Sequence, residues 1–429
     1  MHTIGLVSLG CAKNLVDSEM ILGMFQGGDY RFTDDPAQAD CIIVNTCGFI
    51  ADAKKEAIQT ILEMAQYPGK LVVVGCFVER DLEELRKSIA EVDLWVPLRE
   101  YKDIHKKIES LLGTDDIAPL NPLKRVVSTP SYCAYLRLSE GCDNFCAFCA
   151  IPYIRGRFAS RPYEEIIEEA KMLRNQGVKV LSLVSQDTAR YGSDFPARRP
   201  GILDLLKELD GMGFYSLRLL YLYPDEISSD LIDFVKASRS VAPYFDVPIQ
   251  SGSDHVLKLM NRHGDRADMV RLFKEIKEKI PGAILRTTLI AGFPEETEED
   301  QKETLSLMEE VRFDHLGCFT YSREEGTLAY KLPGQVQEGT KKRRRDEIMA
   351  VQRKISYERN KKLVGRTMEG LVTGYDPKRK LYTLRSYWNA PDDIDGNVFF
   401  ASPTPLKNGE IASVRITSSF IYDLLGEKV

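Results

Sequence analysis

Three cysteines stand in the run Glu140-Gly141-Cys142-Asp143-Asn144-Phe145-Cys146-Ala147-Phe148-Cys149, at spacing C-x3-C-x2-C. Thiolates are soft ligands suited to iron–sulfur clusters and to zinc. Four would fill every position of a cubane cluster, whereas three leave one iron open to a small molecule. Zinc competes for such a loop, but a fourth Cys or His close by is missing. His105 and His255 are far off in sequence, and there is no second C-x2-C pair. A second trio is dispersed: Cys11 in GCAKN, Cys47 in NTCGF and Cys76 in GCFVE. The other three of the nine cysteines, Cys41, Cys133 and Cys318, fall in strand-like runs and read as structural. The N-terminal MHTIGLVSLGCAKNL has no charged segment leading into an apolar run, so no export signal is expected. A cytosolic chain keeps its thiols reduced, and clustered cysteines there read as metal or catalytic sites.

The elements around these residues follow from hydrophobic period. Apolar β-rich runs at Ile4–Leu9, Cys41–Thr46 and Leu71–Gly75 alternate with helical patterns at Ser18–Phe25, Asp52–Ala65 and Asp81–Ile89. That alternation predicts an open parallel α/β sheet over residues 1–122. Cys11, Cys47 and Cys76 each follow a strand, and ligands of open α/β sheets bind outside the strands' carboxyl ends. Downstream, strand-like runs recur at Tyr135–Ser139, Val180–Ser185, Ser216–Leu222, Phe245–Ile249, Ile284–Ile290 and His315–Tyr321. Helical patterns lie between them, including Tyr163–Asn175 and Thr297–Val311. Six β/α units over residues 123–362 predict a partial (β/α)6 barrel, with its chemistry on the loops after the strands. From residue 363 to 429 short strands near Met368–Thr373, Leu381–Ser386, Val398–Ala401, Glu410–Ile416 and Ile421–Asp423 suggest a small antiparallel barrel of the oligonucleotide-binding kind.

Composition sets the outer bounds. The 429 residues carry 43% hydrophobic and 28% charged side chains, ordinary globular values that exclude a disordered chain. Lys and Arg number 58 against 64 Asp and Glu, for a net charge of −6, so the surface as a whole is not built for a polyanion. No apolar run approaches 18 residues, and no membrane span is expected. The run Lys341-Lys342-Arg343-Arg344-Arg345 is read as a solvated helix face or as an RNA contact. Arg155, Arg157 and Arg161 follow the three-cysteine loop and are candidates to meet an acidic ligand.

The Cys142/Cys146/Cys149 loop, with Phe148 before its last cysteine, resembles the signature of the radical S-adenosylmethionine (SAM) enzymes. The resemblance implies a [4Fe–4S] cluster whose open iron is chelated by the amino and carboxylate groups of SAM, and a 5′-deoxyadenosyl radical formed by reductive cleavage. By analogy, Phe148, Ser185, Gln186, Gln250, Ser251 and Gly292 are candidates to line the SAM pocket. Adding Cys11, Cys47 and Cys76 upstream and a small TRAM-like barrel at the end, the whole chain is similar to the radical SAM methylthiotransferases. That family implies a second [4Fe–4S] cluster on the upstream trio, a methylated sulfur presented there, and two SAM molecules, one methyl donor and one radical source.

Two branches of the family differ in substrate. The runs GCAKNLVDSE, NTCGFI, SQDTARYG, DVPIQSGSDHVLKLM, GFPEETEED and GCFTYS resemble the branch that modifies the β-carbon of an aspartate in protein twelve of the small ribosomal subunit. The other branch modifies adenosine in transfer RNA, and more typically carries Ser-Ile-Arg where this chain has Gly48-Phe49-Ile50. From Lys361 onward there are 10 Lys and Arg against 8 Asp and Glu, too neutral for a dedicated RNA grip. The acidic Asp392, Asp393 and Asp395 are therefore expected to face a basic ribosomal protein. A reducing electron donor and a sulfur donor are the other implied partners, and a cytoplasmic monomer is expected. A non-catalytic iron–sulfur RNA-binding protein would explain the tail and the basic run, but not an open-iron loop heading six β/α units. Hydrolase motifs such as G-x-S-x-G, H-E-x-x-H and the phosphate-binding loop are missing.

Overall fold

The computed structural model describes residues 1–114, 124–392 and 394–429, so the boundary expected at 122 and the residue Asp393 lie outside the described residues. The first unit contains β1 (His2–Ser8), α1 (Ala12–Met24), β2 (Tyr30–Thr33), β3 (Cys41–Thr46), α2 (Ala51–Met64), β4 (Lys70–Gly75), α3 (Cys76–Ser88), β5 (Leu94–Val96) and α4 (Ile104–Leu112). All pairings are parallel, in the order β2-β1-β3-β4-β5. Every residue of β3 is buried, as expected for a strand covered by helices on both faces. The edge strands β2 and β5 are only four and three residues long, too short to show a period in the sequence. Helices α1 and α3 begin six and five residues before their expected starts, directly at Cys11 and Cys76. A kink at Asp81 inside α3 marks where its apolar period becomes regular.

The second unit contains β6 (Cys133–Arg137), β7 (Ser139–Glu140), α5 (Ile151–Ile154), β8 (Ala159–Ser160), α6 (Tyr163–Asn175), β9 (Val180–Val184), α7 (Ile202–Asp210), β10 (Ser216–Leu219), α8 (Ser229–Ala237), β11 (Tyr244–Asp246), α9 (Asp254–Leu259), α10 (Arg266–Lys279), β12 (Ile284–Ala291), α11 (Glu298–Val311), β13 (His315–Thr320) and α12 (Glu338–Lys361). Two three-stranded parallel sheets, β10-β9-β6 and β11-β12-β13, are stitched together by Leu217 N donating to Ser240 O at 2.8 Å and Leu222 N donating to Asp246 O at 2.9 Å. The result is six parallel strands, with β6 and β13 unpaired to each other among the described residues. The antiparallel ribbon β7–β8 brackets the three-cysteine loop and suspends it beyond the end of β6.

Two residues of the basic run on α12, Lys341 and Arg344, are buried, and two more carry ion pairs at the surface. Lys341 donates to Tyr321 O at 3.0 Å, and Arg344 pairs with Glu296 and Glu298 at 3.0 and 2.9 Å. Arg343 reaches Glu298 and Glu347, and Arg345 pairs with Asp346.

The last unit is a closed five-stranded barrel of β14 (Thr367–Asp376), β15 (Leu381–Ser386), β16 (Val398–Ala401), β17 (Ile411–Ser419) and β18 (Leu424–Lys428), in the order β14-β15-β16-β18-β17. It is not wholly antiparallel, because β16 and β18 run parallel. The last strand begins after the expected Ile421–Asp423, which forms the turn. This barrel plugs the amino-terminal end of the open barrel. Trp388 is 2% exposed and packs edge-on against His315, while Arg218 donates to Asn389 O at 2.8 Å. Two of the acidic residues expected to face a partner, Asp392 and Asp395, are part of the plug. Asp395 is 3% exposed and accepts from Tyr244 Oη at 2.6 Å beside Arg286, and Asp392 accepts from Tyr135 Oη. They accept from buried hydroxyls, and Asp395 offsets the charge of Arg286, which is a structural reason for acidic residues in a near-neutral tail.

Candidate active site

Cys11 and Cys47 follow β1 and β3, the adjacent strands between which the order of the first sheet reverses, and Cys76 follows β4. The crevice at such a switch point is where open α/β sheets bind ligands. Gly10 makes the approach possible: its φ is +87°, and a Cβ there would lie 2.7 Å from the Cys47 Cβ. The open barrel turns the carboxyl ends of its strands toward the same space. Cys11, Cys47 and Cys76 from one unit, and Cys142, Cys146 and Cys149 from the other, line a single cavity of about 360 Å³. Among the described residues no three Cys, His, Asp or Glu gather closely enough to hold one metal ion. The thiols surround a space rather than a point.

Burial pushes the Cys142 thiol up to about 11 and the Cys76 and Cys149 thiols up to about 12, and raises Cys47 as well. Without metal these sulfurs hold their protons, and a cluster would displace them on binding. Donors are already aimed at two of the sulfurs. Arg155 Nε donates to Cys76 Sγ at 3.3 Å, and Tyr223 Oη lies 3.0 Å from Cys146 Sγ. Hydrogen bonds to ligand sulfur tune a cluster and orient its ligands. Two soft trios with polar support thus fit two iron–sulfur clusters.

The candidate pocket residues divide. Phe148, Gln186 and Gln250 line the cavity. Both polar atoms of the Gln186 side chain are buried with no partner among the described residues, which is the state of an amide awaiting a ligand. Gln250 has φ +72°, in the left-handed region, with its backbone bonded to Thr288 and Ile290. Ser185, Ser251 and Gly292 are not among the lining residues. Ser185 Oγ donates to Thr188 at 3.2 Å, Ser251 Oγ accepts from Ser253 N at 3.2 Å, and Gly292 lies under Lys341. Each sits beside a strand end, but its own partners turn it inward.

The three arginines after the cysteine loop are not free for an acidic ligand. Arg155 lines the cavity but is held by Asp17 at 2.8 Å and Glu140 at 2.9 Å. Arg157 pairs with Asp143, and Arg161 with Glu169, outside the cavity. Sequence reasoning missed Lys13, Tyr221, Asp246, Arg262 and Arg286, all of which line the cavity. Tyr221 and Tyr223 directly follow β10, so their position was a usable signal. Arg262 and Arg286 gave none, because a guanidinium after a short helix or within a strand carries no recognisable spacing. Cys41, Cys133 and Cys318 stay out of the site, and burial raises all three thiols. A larger cavity of about 600 Å³, which Cys133, Tyr135, Arg385 and Phe399 help line, lies between the two barrels away from both cysteine trios.

Comparison with known proteins agrees with this arrangement. Residues 3–97 match the model described as uncharacterized protein family UPF0004, residues 136–308 the radical SAM superfamily, and residues 364–429 the TRAM domain. The chain is 47% identical over 425 residues to the protein named ribosomal protein uS12 methylthiotransferase RimO of Aquifex aeolicus, covering 99% of this chain and 96% of that protein. Its namesake in Pelotomaculum thermopropionicum is 46% identical over 441 residues, with 99% of each chain covered. Among solved structures, the radical SAM methyltransferase TsrM of Kitasatospora setae, with cobalamin and a [4Fe–4S] cluster bound, shares the fold at a TM-score of 0.57. That match has 14% identity and covers 88% of this chain and 81% of that one. With near-complete coverage at such identity, and a three-cysteine loop suspended over an open barrel, the chain belongs to the RimO family of radical SAM methylthiotransferases.

Proposed function

We propose that this enzyme adds a methylthio group to the β-carbon of an aspartate in protein twelve of the small ribosomal subunit, using one SAM as methyl donor and a second as radical source. The observation that carries the reading is the shared cavity, which brings two separate cysteine trios to one space. When bound, the clusters and SAM supply the radical that opens an unactivated C–H bond and the sulfur that replaces the hydrogen. Cys142, Cys146 and Cys149 hold one [4Fe–4S] cluster, and Cys11, Cys47 and Cys76 hold the other. Gln186 and Gln250 orient the cofactor between them. Tyr221, Leu222 and Tyr223 give the cavity a largely apolar wall that would limit water at the reacting carbon. The relatives' names direct the reading to a protein substrate. The packing of α12 supports it, because Lys341 and Arg344 are buried and Arg343 and Arg345 already sit beside carboxylates that lower the positive charge offered to RNA. The units divide at residues 1–122, 123–362 and 363–429, and the enzyme works in the cytoplasm as a monomer with an electron donor and a sulfur donor. No helix among the described residues is long and apolar enough to cross a membrane.

Anaerobic reconstitution tests the core of this reading. Two cubanes should give about eight irons per chain, and Cys142, Cys146 and Cys149 replaced together by Ala should leave about four. Four irons in the wild type, or zinc, would refute it. Mass spectrometry of the ribosomal protein and of transfer RNA from cells lacking the gene identifies the substrate.

A further inference from the structure

Lys13 is placed against the ordinary logic of a helix end. It is the second residue of α1, whose cap residue Cys11 makes no side-chain hydrogen bond and whose first turn has no acidic residue. The amino end of a helix carries partial positive charge and unpaired N–H groups, and favours an anion there. A lysine in that turn adds charge of the same sign. Yet Lys13 is 8% exposed and lines the cavity. Its ammonium donates to Ser185 O at 3.1 Å and lies 4.0 Å from the centre of the Tyr221 ring. An ammonium has three donors, and among the described residues the other two have no partner and no carboxylate is paired with it. The nearby carboxylate of Asp17 is engaged by Arg137 and Arg155. A buried cation without a counter-ion is costly unless a ligand brings one.

The position of Lys13 lies between the two trios. It is two residues from Cys11 and lines the same cavity as Cys149. The carbon that changes hydrogen for sulfur must sit in this same gap. We propose that Lys13, with the open amino end of α1, receives the side-chain carboxylate of the substrate and thereby selects an acidic residue for modification. This rests on the ribosomal-protein reading above and names the group that recognises the reacting side chain.

The test measures binding rather than turnover, using the full-length reconstituted protein with SAM. One peptide carries the target aspartate of the ribosomal protein, and a second has Asn in its place. A charge-assisted hydrogen bond implies that the wild type prefers the Asp peptide by about 10- to 100-fold. In Lys13→Met that preference should fall to near unity, and Lys13→Arg should retain it. If Lys13→Met loses its fold, Lys13→Gln, which can still donate to Ser185 O, carries the same comparison. An unchanged preference in the neutral variant, or loss of SAM binding with the preference intact, would overturn the role of Lys13 alone. Failure of the wild type to bind either peptide or the intact ribosomal protein would overturn the ribosomal-protein reading and this proposal with it.

Discussion

Replacing Arg155 by Met probes the joint between the two halves of the site. Its side chain is 2% exposed and reaches Asp17 and Asn14 on α1, Glu140 on β7 and the sulfur of Cys76. Breaking a buried ion pair from one side costs about 3–5 kcal/mol, because the remaining charge is stranded. Here the loss is softened. Asp17 keeps Arg137, and Glu140 is 34% exposed, so solvent screens it. We therefore expect about 2–3 kcal/mol, at or just below the bottom of that range. Urea unfolding of the metal-free protein measures it without interference from cluster loss. The pH dependence follows from Asp17. Burial opposes its ionisation, but Arg137 and Arg155 overcome that and hold the carboxyl below its usual value. A depressed carboxylate stabilises the fold above its unfolded value of about 3.9, and that contribution is lost as pH falls through the folded value. The gap between wild type and Arg155→Met should thus be full at neutral pH and close below about pH 4. Loss of the donor to Cys76 should also weaken retention of the first-unit cluster about 10- to 100-fold against a chelator. A metal-free variant as stable as the wild type at pH 7, or a gap that widens in acid, would refute this account of the joint.

Three further outcomes are expected. Burial pushes the Asp187 carboxyl up to about 7, against the hydrogen bond from Asn144, so its contribution to stability is full below about pH 4 and is lost as pH rises through 7. Asp187→Asn should raise the melting temperature more at pH 8 than at pH 4, and a difference independent of pH would contradict the reasoning. Asp395→Asn leaves Arg286 paired with Asp246 and keeps an acceptor for Tyr244, so it should loosen the barrel plug by only about 1–3 kcal/mol, the difference of hydrogen bonds to a charged group, visible as faster proteolytic release of the C-terminal barrel; unchanged release would show that the plug is held otherwise. Gly292→Ala should lower stability by about 1–3 kcal/mol, because φ is +74° and a Cβ would overlap Lys341, and a melting curve identical to wild type would exclude that strain.

The spacing Cys142, Cys146, Cys149 was legible because a cluster loop is local: its ligands must be close in sequence to wrap one group. The strands of the open barrel were legible for a related reason, since a strand such as β9, all five of whose residues are buried, is a near-continuous apolar run. Strand ends even pointed to Cys11, Cys47 and Cys76, because topology fixes where open sheets bind. Edge strands β2 and β5 were not legible, as four and three half-covered residues show no period. What the sequence could not supply was which charges find each other. Asp392 and Asp395 read as a surface for a basic partner, and Lys341–Arg345 as a solvated or RNA-binding face. Folding engages the first pair with Tyr135, Tyr244 and Arg286 and commits most of the second to Glu296, Glu298, Glu347 and Asp346. The same packing occupies Arg155 with Asp17 and Glu140 while leaving Lys13 without a carboxylate. Residue type and spacing determine which metal chemistry a chain can hold. Whether a given charge faces a partner or a neighbour depends on packing between segments from tens to more than two hundred positions apart, and only the tertiary structure decides that.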